Sequence, residues 1–418
     1  MLVKNRIISE TWPDHTISLL KEGYLFIQNR THRCNCNPVV TRLLGERVIC
    51  MTGARAAKLF YDPTYFTRKD AAPKRIQKTL FGENAIQGMN GKAHFHRKQL
   101  FLSLMSTAEQ QRLTMIINRK LEAAIGTWRR LKQIVLFDEM KKILCESACK
   151  WAGVPLQQTE LYGRAEDFYA MVDSFGAIGP RHFRGRSARK RTEAWIGRIF
   201  DAVRSGKLRA AQGTALHEIA FFNEEDGSLM DTNMAAIELI NVLRPIIAIS
   251  TYITFAALAL HRYPECRDPL LHGDSYYLEM FTQEVRRFYP FTPFVGARVR
   301  KDFIWNDCYF EKGTLVILDI YGMNHDASIW DQPYKFMPER FHGPVSDLYQ
   351  FIPQGGGYTA ITHRCPGEGI TVEVMKTVVD FLVRRIHYTV PKQVLSYPLN
   401  KIPTLVESGF IMTNIRLK

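Results

Sequence analysis

The chain has 418 residues, of which 46% are hydrophobic and 23% are charged. This composition is that of a globular protein and excludes an intrinsically disordered or fibrous chain. Because the sequence contains neither a Pro/Gly/Ser-rich linker nor an internal repeat, it predicts a single domain spanning residues 1–418.

The formal net charge of +15 bears on the kind of partner. Such an excess of positive charge is compatible with nucleic acid, an anionic lipid surface or an anionic small substrate. The basic residues are densest in the run Arg181, Arg184, Arg186, Arg189, Lys190 and Arg191. This run lacks the aromatic stacking pattern of a nucleic-acid groove, so we expect no nucleic-acid partner and interpret it as a solvated basic face.

The hydropathy of the chain bears on its compartment. The first twenty residues are interrupted by charges and a proline, so they lack the continuous apolar stretch of a secretory signal. The longest apolar run, residues 245–260, is shorter than the roughly 20 residues that span a bilayer. The sequence therefore predicts a cytoplasmic protein that is not an integral membrane protein.

Eight cysteines are scattered along the chain without a CxxC pair. Cys34 and Cys36 lie close to His32, but no second ligand pair follows at the spacing of a zinc site. We therefore interpret this cluster as incidental and expect no disulfide framework.

The elements follow one another in a clear order. Short β-like runs at residues 23–28 and 47–51 precede a stretch from about residue 91 to 289 in which apolar residues recur every three or four positions, which predicts successive helices. After Pro293 the runs FIWNDCYF and TLVILDIY, joined by the turn-like EKG, predict a hairpin or small sheet. Helical spacing returns near Gly369. The predicted fold is mainly α with a minor β lobe.

The most apolar predicted helix, IELINVLRPIIAISTYITFAALAL, carries Arg244 and Pro245 in its middle. A proline inside a helix removes a backbone hydrogen bond and kinks the helix. A buried arginine needs an anionic partner, and Glu238, six residues earlier, lies on a different face. Either a carboxylate from elsewhere in the fold pairs with Arg244, or Arg244 binds a substrate carboxylate in bidentate geometry; we favour the second alternative.

A glycine-rich loop, PQGGGYTAITHRCPGEG, places Cys365 directly before an apolar helix. Backbone N–H groups and the helix dipole stabilise a thiolate at such a position and lower its pKa. A Cys-Pro-Gly tripeptide alone fits a buried structural thiol equally well. Two upstream motifs favour a metal ligand: Glu284 and Arg287 form an ExxR pair, and Arg340 belongs to a PERF sequence.

ExxR, PERF and the cysteine loop occur in this order over about eighty residues, and together they resemble the cytochrome P-450 superfamily. The resemblance implies the cytochrome P-450 fold and a haem b cofactor whose iron takes Cys365 as its proximal ligand. It also implies that Glu284, Arg287 and Arg340 form a buried network that supports the cysteine loop.

The segments NVLRPI, QGGG and HRCPGEG resemble the bacterial fatty-acid peroxygenase branch of that superfamily, and the likeness covers essentially the whole chain. Arg244 and Pro245 stand where oxygen-activating members have an acid-alcohol pair. The resemblance implies a fatty-acid substrate, hydrogen peroxide as oxidant and no obligatory redox partner. Arg244 would hold the substrate carboxylate as the acid-base group, and hydroxylation would fall at the β or α carbon.

Further roles carry over from this resemblance as expectations. The expected partners of the haem propionates are Arg68, His94 and Lys98, which an ordinary basic helix surface would also explain. The expected lining of the alkyl-chain pocket is Phe81, Val172 and Phe291, which composition alone would assign to the core. Gln87 occupies the position at which histidine accompanies decarboxylation to terminal alkenes and glutamine accompanies hydroxylation.

One position departs from the family pattern. Thr362 stands where the family has a glycine three residues before the cysteine. If that glycine takes a positive φ, a threonine is strained there, and haem affinity or loop geometry changes. Three other functions stay open: a fatty-acid decarboxylase, a reductase-dependent monooxygenase whose basic surface docks an acidic electron donor, and a non-catalytic haem or lipid carrier.

Overall fold

A computed structural model describes residues 14–273, 275–343 and 347–418. The segment 1–13, on which much of the expectation about a secretory signal rests, lies outside the described residues.

Helices make up most of the described chain. The α-helices are α1 Thr16–Glu22, α2 Phe26–Cys34, α3 Ala54–Phe60, α4 Lys74–Ile76, α5 Gly91–Leu104, α6 Thr107–Trp128, α7 Leu136–Ala152, α8 Leu161–Asp173, α9 Pro180–Arg204, α10 Ala215–Ala220, α11 Thr232–Arg262, α12 Arg267–His272, α13 Ser275–Phe288, α14 Tyr321–Asn324 and α15 Glu368–Arg384. A π-helix, Gln77–Phe81, continues α4. Short 3-10 helices lie at Gly23–Leu25, Ile86–Gly88, Pro264–Cys266 and Pro338–Phe341.

The strands form three small sheets. They are β1 Val39–Leu43, β2 Glu46–Met51, β3 Phe66–Thr67, β4 Gln133–Val135, β5 Phe294–Val299, β6 Phe303–Trp305, β7 Cys308–Phe310, β8 Leu315–Asp319, β9 Ile386–Thr389 and β10 Ile411–Leu417. The largest sheet has the order β1-β2-β8-β5-β3, with β2 and β8 parallel and its other pairs antiparallel. The second sheet has the order β4-β10-β9, and β6 pairs with β7. The predicted mainly α fold with a minor β lobe is confirmed.

Helix α11 forms the centre of the helical core and packs against α7, α9 and α15. It is long and apolar enough to cross a membrane, but 94% of its most apolar 18-residue window is buried inside the protein, as in the core helix of a soluble protein. The helix continues through Pro245. Because proline has no N–H group, the carbonyl one turn earlier, that of Asn241, receives no helical hydrogen bond from it.

One strand prediction was wrong, and the predicted hairpin or small sheet forms with a different pairing of its strands. Residues 23–28 form a 3-10 turn and the start of α2, where Phe26, Ile27 and Arg30 are buried together at helical spacing; a short apolar run does not distinguish a strand from a buried helix. The predicted hairpin closes at Asn306 and Asp307, whose positive φ angles of 46° and 57° suit a two-residue turn. The EKG segment instead leads into β8, which joins the five-stranded sheet.

The expectation that Cys34 and Cys36 are incidental was also wrong. The structure joins them in a disulfide with Cα atoms 5.1 Å apart, while the other six cysteines are free. Asn35, between them, ends α2 with a left-handed φ of 47°, which turns the chain sharply at this point. Asparagine tolerates this conformation better than most residues, so the CxC sequence with its central Asn was the available signal.

Candidate active site

The ExxR and PERF motifs form the predicted buried network. Glu284, on α13, accepts hydrogen bonds from Arg287 Nε and Nη2 at 2.7 and 2.8 Å, and neither residue is exposed. Arg340 Nε donates to Glu284 Oε1 at 3.2 Å, and the Met337 amide donates to the same oxygen at 2.8 Å. Arg287 Nη1 also donates to the carbonyl of Asn324. The network therefore attaches the chain before the cysteine loop to α13.

Arg286 reaches the cysteine loop itself, and the sequence reasoning missed it. Its Nη2 donates to Gln354 Oε1 at 2.9 Å and to Glu368 Oε1 at 2.5 Å, and its side chain is 1% exposed. The available signal was the doublet of consecutive arginines in EVRR, because adjacent side chains on a helix point in different directions, so Arg286 needs a partner other than the one that Arg287 contacts.

Cys365 lies at the end of the loop, directly before α15. Its amide donates to the Gln354 carbonyl at 2.8 Å, and Gly355 takes a φ of 105° where a Cβ would lie 2.8 Å from Arg364 Cα. Cys365 is partly exposed, whereas the other five free cysteines are buried. Desolvation raises the pKa of the free thiol more than the Gly367 amide, Lys98 and Arg286 lower it, so the expected lowering was wrong for the free thiol.

Thr362 fits the loop without backbone strain. Its φ is not among the positive values found in the described chain. The Oγ1 hydroxyl donates to the carbonyls of Gly356 and Tyr358 at 2.8 and 3.0 Å and accepts from the Arg364 amide at 3.2 Å. The possible strain at Thr362 is therefore not present.

Arg68, His94, Lys98 and His363 form one basic cluster. The rings of His94 and His363 stack with centroids 4.0 Å apart, and Lys98 Nζ donates to the carbonyls of Thr362 and Arg364. Burial, reinforced by the positive charges of Lys98 and Arg68, lowers the pKa of His94 to about 4. Burial likewise lowers the pKa of Lys98 to about 8. Within the described ranges the hydrogen bonds of Arg68 and Lys98 go to neutral groups, so the cluster suits two propionates.

Arg244 is 5% exposed and lies at the middle of α11. Its Nη1 donates to the Leu80 carbonyl and, at 3.1 Å, to Asn241 Oδ1. No carboxylate in the part of the chain that the structure describes forms an ion pair with it. Burial and the neighbouring Arg189 lower the pKa of Arg244 to about 9, against the influence of Glu238 and Cys365. A bound anion would stabilise this cation.

Glu238 and Asn241 organise this region, and the sequence reasoning had set Glu238 aside. Glu238 is fully buried, and its Oε1 accepts from the Ile86 amide at 2.8 Å and from Arg97 Nη1 at 3.0 Å. Asn241 Nδ2 donates to Glu238 Oε2 at 3.1 Å. No hydrogen bond or ion pair joins Glu238 directly to Arg244 within the described residues, but Asn241 connects them because the three residues are spaced three apart on one helix.

The other expected pocket residues lie on separate elements. Phe81 ends the π-helix, Val172 lies on α8, and Phe291 follows α13, and all three are half-buried. The Phe81 carbonyl accepts from Asn241 Nδ2 at 2.8 Å, and Gln87 Oε1 lies 3.5 Å from the same nitrogen. Asn241 thus brings Gln87 and Phe81 to Arg244, whereas the described hydrogen bonds do not link Val172 or Phe291 to it.

Several observations fit a haem between α11 and the cysteine loop. Pro245 is exposed although its neighbours on α11 are buried, and Cys365 is partly exposed, unlike the other free cysteines. Arg244 lies close enough to Cys365 for the two charges to interact. The residues that would hold the group are therefore Cys365 at the iron and Arg68, His94 and Lys98 at the propionates.

Comparisons with known sequences agree with this site. A family model for Cytochrome P450 matches residues 274–409. The curated protein "Cytochrome P450 4e5, mitochondrial" of Drosophila mettleri is 32% identical over 108 residues, which are 26% of this chain and 20% of that protein. The chain thus matches about a fifth of the length of this relative. "Putative cytochrome P450 137" of Mycobacterium tuberculosis is 20% identical over 367 residues, 83% of this chain and 75% of that protein.

Solved structures are similar over almost the whole chain. "Cytochrome P450EX alpha (CYP152N1) wild-type with myristic acid" is 42% identical with a TM-score of 0.95, covering 98% of both chains. "Cytochrome P450SP alpha (CYP152B1) in complex with (R)-ibuprophen" is 43% identical with a TM-score of 0.95, covering 97% of this chain and 100% of that one. Ligand-free cytochrome P450 OleT is 34% identical with a TM-score of 0.95, covering 97% and 98%. The chain therefore belongs to the haem-dependent cytochrome P450 superfamily, within its CYP152 branch of fatty-acid peroxygenases.

Proposed function

We propose that the protein hydroxylates long-chain fatty acids at the β carbon, and secondarily at the α carbon, with hydrogen peroxide as oxidant. The observation that carries this proposal is the buried guanidinium of Arg244, which has no carboxylate partner within the described residues. A fatty acid supplies the missing anion, and guanidinium binds carboxylates through two parallel hydrogen bonds.

The haem, when bound through Cys365, supplies the transfer of an oxygen atom from peroxide to a C–H bond. Arg244 binds the substrate carboxylate and thereby fixes the distance between this carboxylate and the face of α11 on which Pro245 is exposed. Heterolytic cleavage of the peroxide O–O bond requires the transfer of a proton from one oxygen to the other. A carboxylate fixed by Arg244 serves as the group that transfers this proton. No acidic side chain is required for this transfer.

The same anchor determines which carbon reacts. Because Arg244 holds C1, the carbons nearest to the reactive centre are the α and β carbons, while Phe81, Val172 and Phe291 would enclose the rest of the alkyl chain. The relative whose structure contains myristic acid supports this substrate class.

Gln87 favours hydroxylation over decarboxylation. Its neutral amide lies 3.5 Å from Asn241 Nδ2, beside Arg244. In the family that this chain resembles, a glutamine at this position accompanies hydroxylation. We therefore propose a hydroxylase and keep the alkene-forming decarboxylase as the alternative. We also propose a soluble, cytoplasmic enzyme that needs no reductase.

The test uses purified haem-loaded protein, a series of saturated fatty acids and hydrogen peroxide alone. We expect 3-hydroxy acids as main products and 2-hydroxy acids as minor ones in gas chromatography coupled to mass spectrometry. Arg244→Ala should lose nearly all turnover, whereas Arg209→Ala, which removes an exposed arginine, should not. Robust turnover by Arg244→Ala would contradict the anchor.

The same preparation separates the alternatives. Terminal alkenes as the main product would assign a decarboxylase. Inertness toward peroxide together with activity after addition of ferredoxin and its reductase would assign a monooxygenase. A reduced, CO-bound spectrum without the thiolate-type Soret band would assign a carrier.

A further inference from the structure

One arginine of the basic run on α9 is buried. Arg189 is 1% exposed. The remaining basic residues of the run are partly or fully exposed: Arg181, Arg184, Arg186, Lys190 and Arg191. α9 packs against both α11 and the π-helix, and Arg189 lies on the side of α9 that faces them. The interpretation of the run as a solvated basic face was therefore wrong at Arg189.

The protein neutralises Arg189 only in part. Its Nε donates to Glu193 Oε1 at 2.6 Å, but the side chain of Glu193 is 25% exposed, so water screens this pair. Its Nη1 donates to the Leu80 carbonyl at 2.9 Å. Its Nη2 is buried and has no hydrogen-bond partner among the described residues. A buried donor without a partner is costly, and in a native protein it calls for an explanation.

Gly82 makes room for the guanidinium of Arg189. Gly82 follows the π-helix with a φ of 89°, and a Cβ atom at this position would lie 2.5 Å from Arg189 Nη2 and 2.5 Å from Ile237 Cγ2. Any larger residue would displace Arg189 or the chain that follows Phe81. The glycine therefore allows Arg189 to reach the end of the segment that carries Leu80.

Arg189 and Arg244 meet at the Leu80 carbonyl. The Nη1 atoms of both arginines donate to this oxygen, whose two lone pairs accept one hydrogen bond each. The two positive charges interact, because Arg189 contributes, after burial, to the lowered pKa of Arg244. Two like charges repel each other strongly in a buried site, and a negative charge placed beside them offsets this repulsion. An anion bound to Arg244 is therefore attracted by two cations.

Arg244 keeps one edge of its guanidinium for such an anion. Its Nη1 is occupied by the Leu80 carbonyl and by Asn241 Oδ1, whereas its Nε and Nη2 form no hydrogen bond with the residues that the structure describes. These two nitrogens form the fork that matches a carboxylate. Because Arg189 holds the same carbonyl from α9, it helps to fix the occupied end of Arg244.

We propose that Arg189 is a positioning residue of the carboxylate site, which adds a second positive charge beside Arg244 and fixes the Leu80 carbonyl that orients it. The identity of the anion, a fatty-acid carboxylate, rests on the proposed function. The consequence is selectivity for charge. The pair of arginines strengthens the binding of an ionised acid and contributes nothing to the binding of an uncharged molecule of the same length.

The test compares the binding of decanoic acid and 1-decanol to the haem-loaded protein by isothermal titration calorimetry. Arg189→Met should bind the acid about tenfold more weakly, because it removes one of two buried cations near the carboxylate, and should bind the alcohol unchanged. The KM for the acid should rise by the same factor, while kcat changes much less. An equal loss of affinity for both ligands would reduce Arg189 to a packing role and overturn the proposal.

Two further variants keep the test independent of the folding of Arg189→Met. Arg189→Lys retains the positive charge and should bind the acid more tightly than Arg189→Met. Glu193→Gln retains a hydrogen-bond acceptor for Arg189 and removes the negative charge, so it should bind the acid at least as tightly as the parent. An Arg189→Lys protein as weak as Arg189→Met, or a Glu193→Gln protein that binds only the acid more weakly, would overturn the role of the second charge.

Arg204→Met is the matched control. Arg204 ends α9, is partly buried and donates to the carbonyls of Ala220 and Met230, away from Leu80. This variant should keep the preference of the parent for acid over alcohol, and an equal loss of preference would contradict a specific role of Arg189. A parent without that preference would reject the proposed function together with the role of Arg189. A parent with the preference, and an Arg189→Met protein that retains it in full, would reject the role of Arg189 alone.

Discussion

Arg244 Nη1 donates a 3.1 Å hydrogen bond to the Oδ1 atom of Asn241, one turn earlier on α11. The amide nitrogen of Asn241 in turn donates to Glu238, whose carboxylate is also held by Arg97. A neutral amide therefore separates the guanidinium from the nearest carboxylate on its helix. Arg244 is oriented by this chain of contacts without being neutralised by it, which leaves its charge for a substrate.

Asn241→Ala should loosen the orientation of Arg244. The substitution removes one hydrogen bond to a charged group, a contribution of roughly 1.5 kcal/mol, so the KM for fatty acid should rise about tenfold. Steady-state kinetics with peroxide and a spectral titration of fatty-acid binding measure the change. Thr114→Ala, on the exposed side of α6, serves as the control, and an unchanged KM in Asn241→Ala would refute the orienting role.

Glu284→Gln should destabilise the protein strongly. It leaves Arg287 and Arg340 buried without a counter-charge, which costs on the order of 3–5 kcal/mol. We expect a large fall in Tm and in haem incorporation, measured by calorimetry and by Soret absorbance. Glu279→Gln, in a partly exposed glutamate earlier on α13, should change the Tm little. Similar Tm values for the two variants would contradict the structural role of the network.

Asp319→Asn should make stability less dependent on pH. Asp319 Oδ1 accepts from the Gly322 amide at 2.7 Å, while Oδ2 is buried and has no hydrogen-bond partner among the described residues, and burial raises the pKa of this carboxyl to about 7. In the unfolded chain its pKa is about 3.9, so the folded form binds the proton more tightly and stability falls as pH rises from about 4 to 7.

The Asp319→Asn protein should therefore be more stable than the parent above pH 7, by on the order of 4 kcal/mol, and this advantage should shrink as pH falls toward 4. Urea unfolding of both proteins across this range measures it. A constant difference at all pH values would show that Asp319 is ionised in the folded protein.

Thr362→Ala should weaken the cysteine loop moderately. The loss of the hydroxyl contacts to Gly356 and Tyr358 costs about 1 kcal/mol. Thr362→Gly should cost more, because glycine also gains freedom in the unfolded chain. Tm and the yield of the CO-bound thiolate spectrum report both effects. A Thr362→Gly protein more stable than the parent would show that the threonine is strained.

Local patterns predicted much of the fold and the centre of the site. Helical spacing predicted the helical body and α15, and the ordered motifs predicted the network of Glu284, Arg287 and Arg340. The haem cofactor is confirmed by the family, whereas the roles of Arg244, Gln87 and the propionate partners stay predictions. The single domain over residues 1–418 also stays a prediction. The run at residues 23–28 was misassigned because burial on a helix and in a strand produces similar short apolar runs.

The sequence by itself determined the family and the unusual Arg244-Pro245 pair, and it predicted the cysteine ligand, because each rests on residue types at short, fixed spacings. Only the tertiary structure decided which distant groups surround one another. It placed Arg286 on the cysteine loop, Glu238 and Asn241 behind Arg244, and acidic partners beside four arginines of the basic run. The physical reason is that the groups which folding buries beside a charge decide whether that charge is neutralised. Those groups lie far away in the sequence.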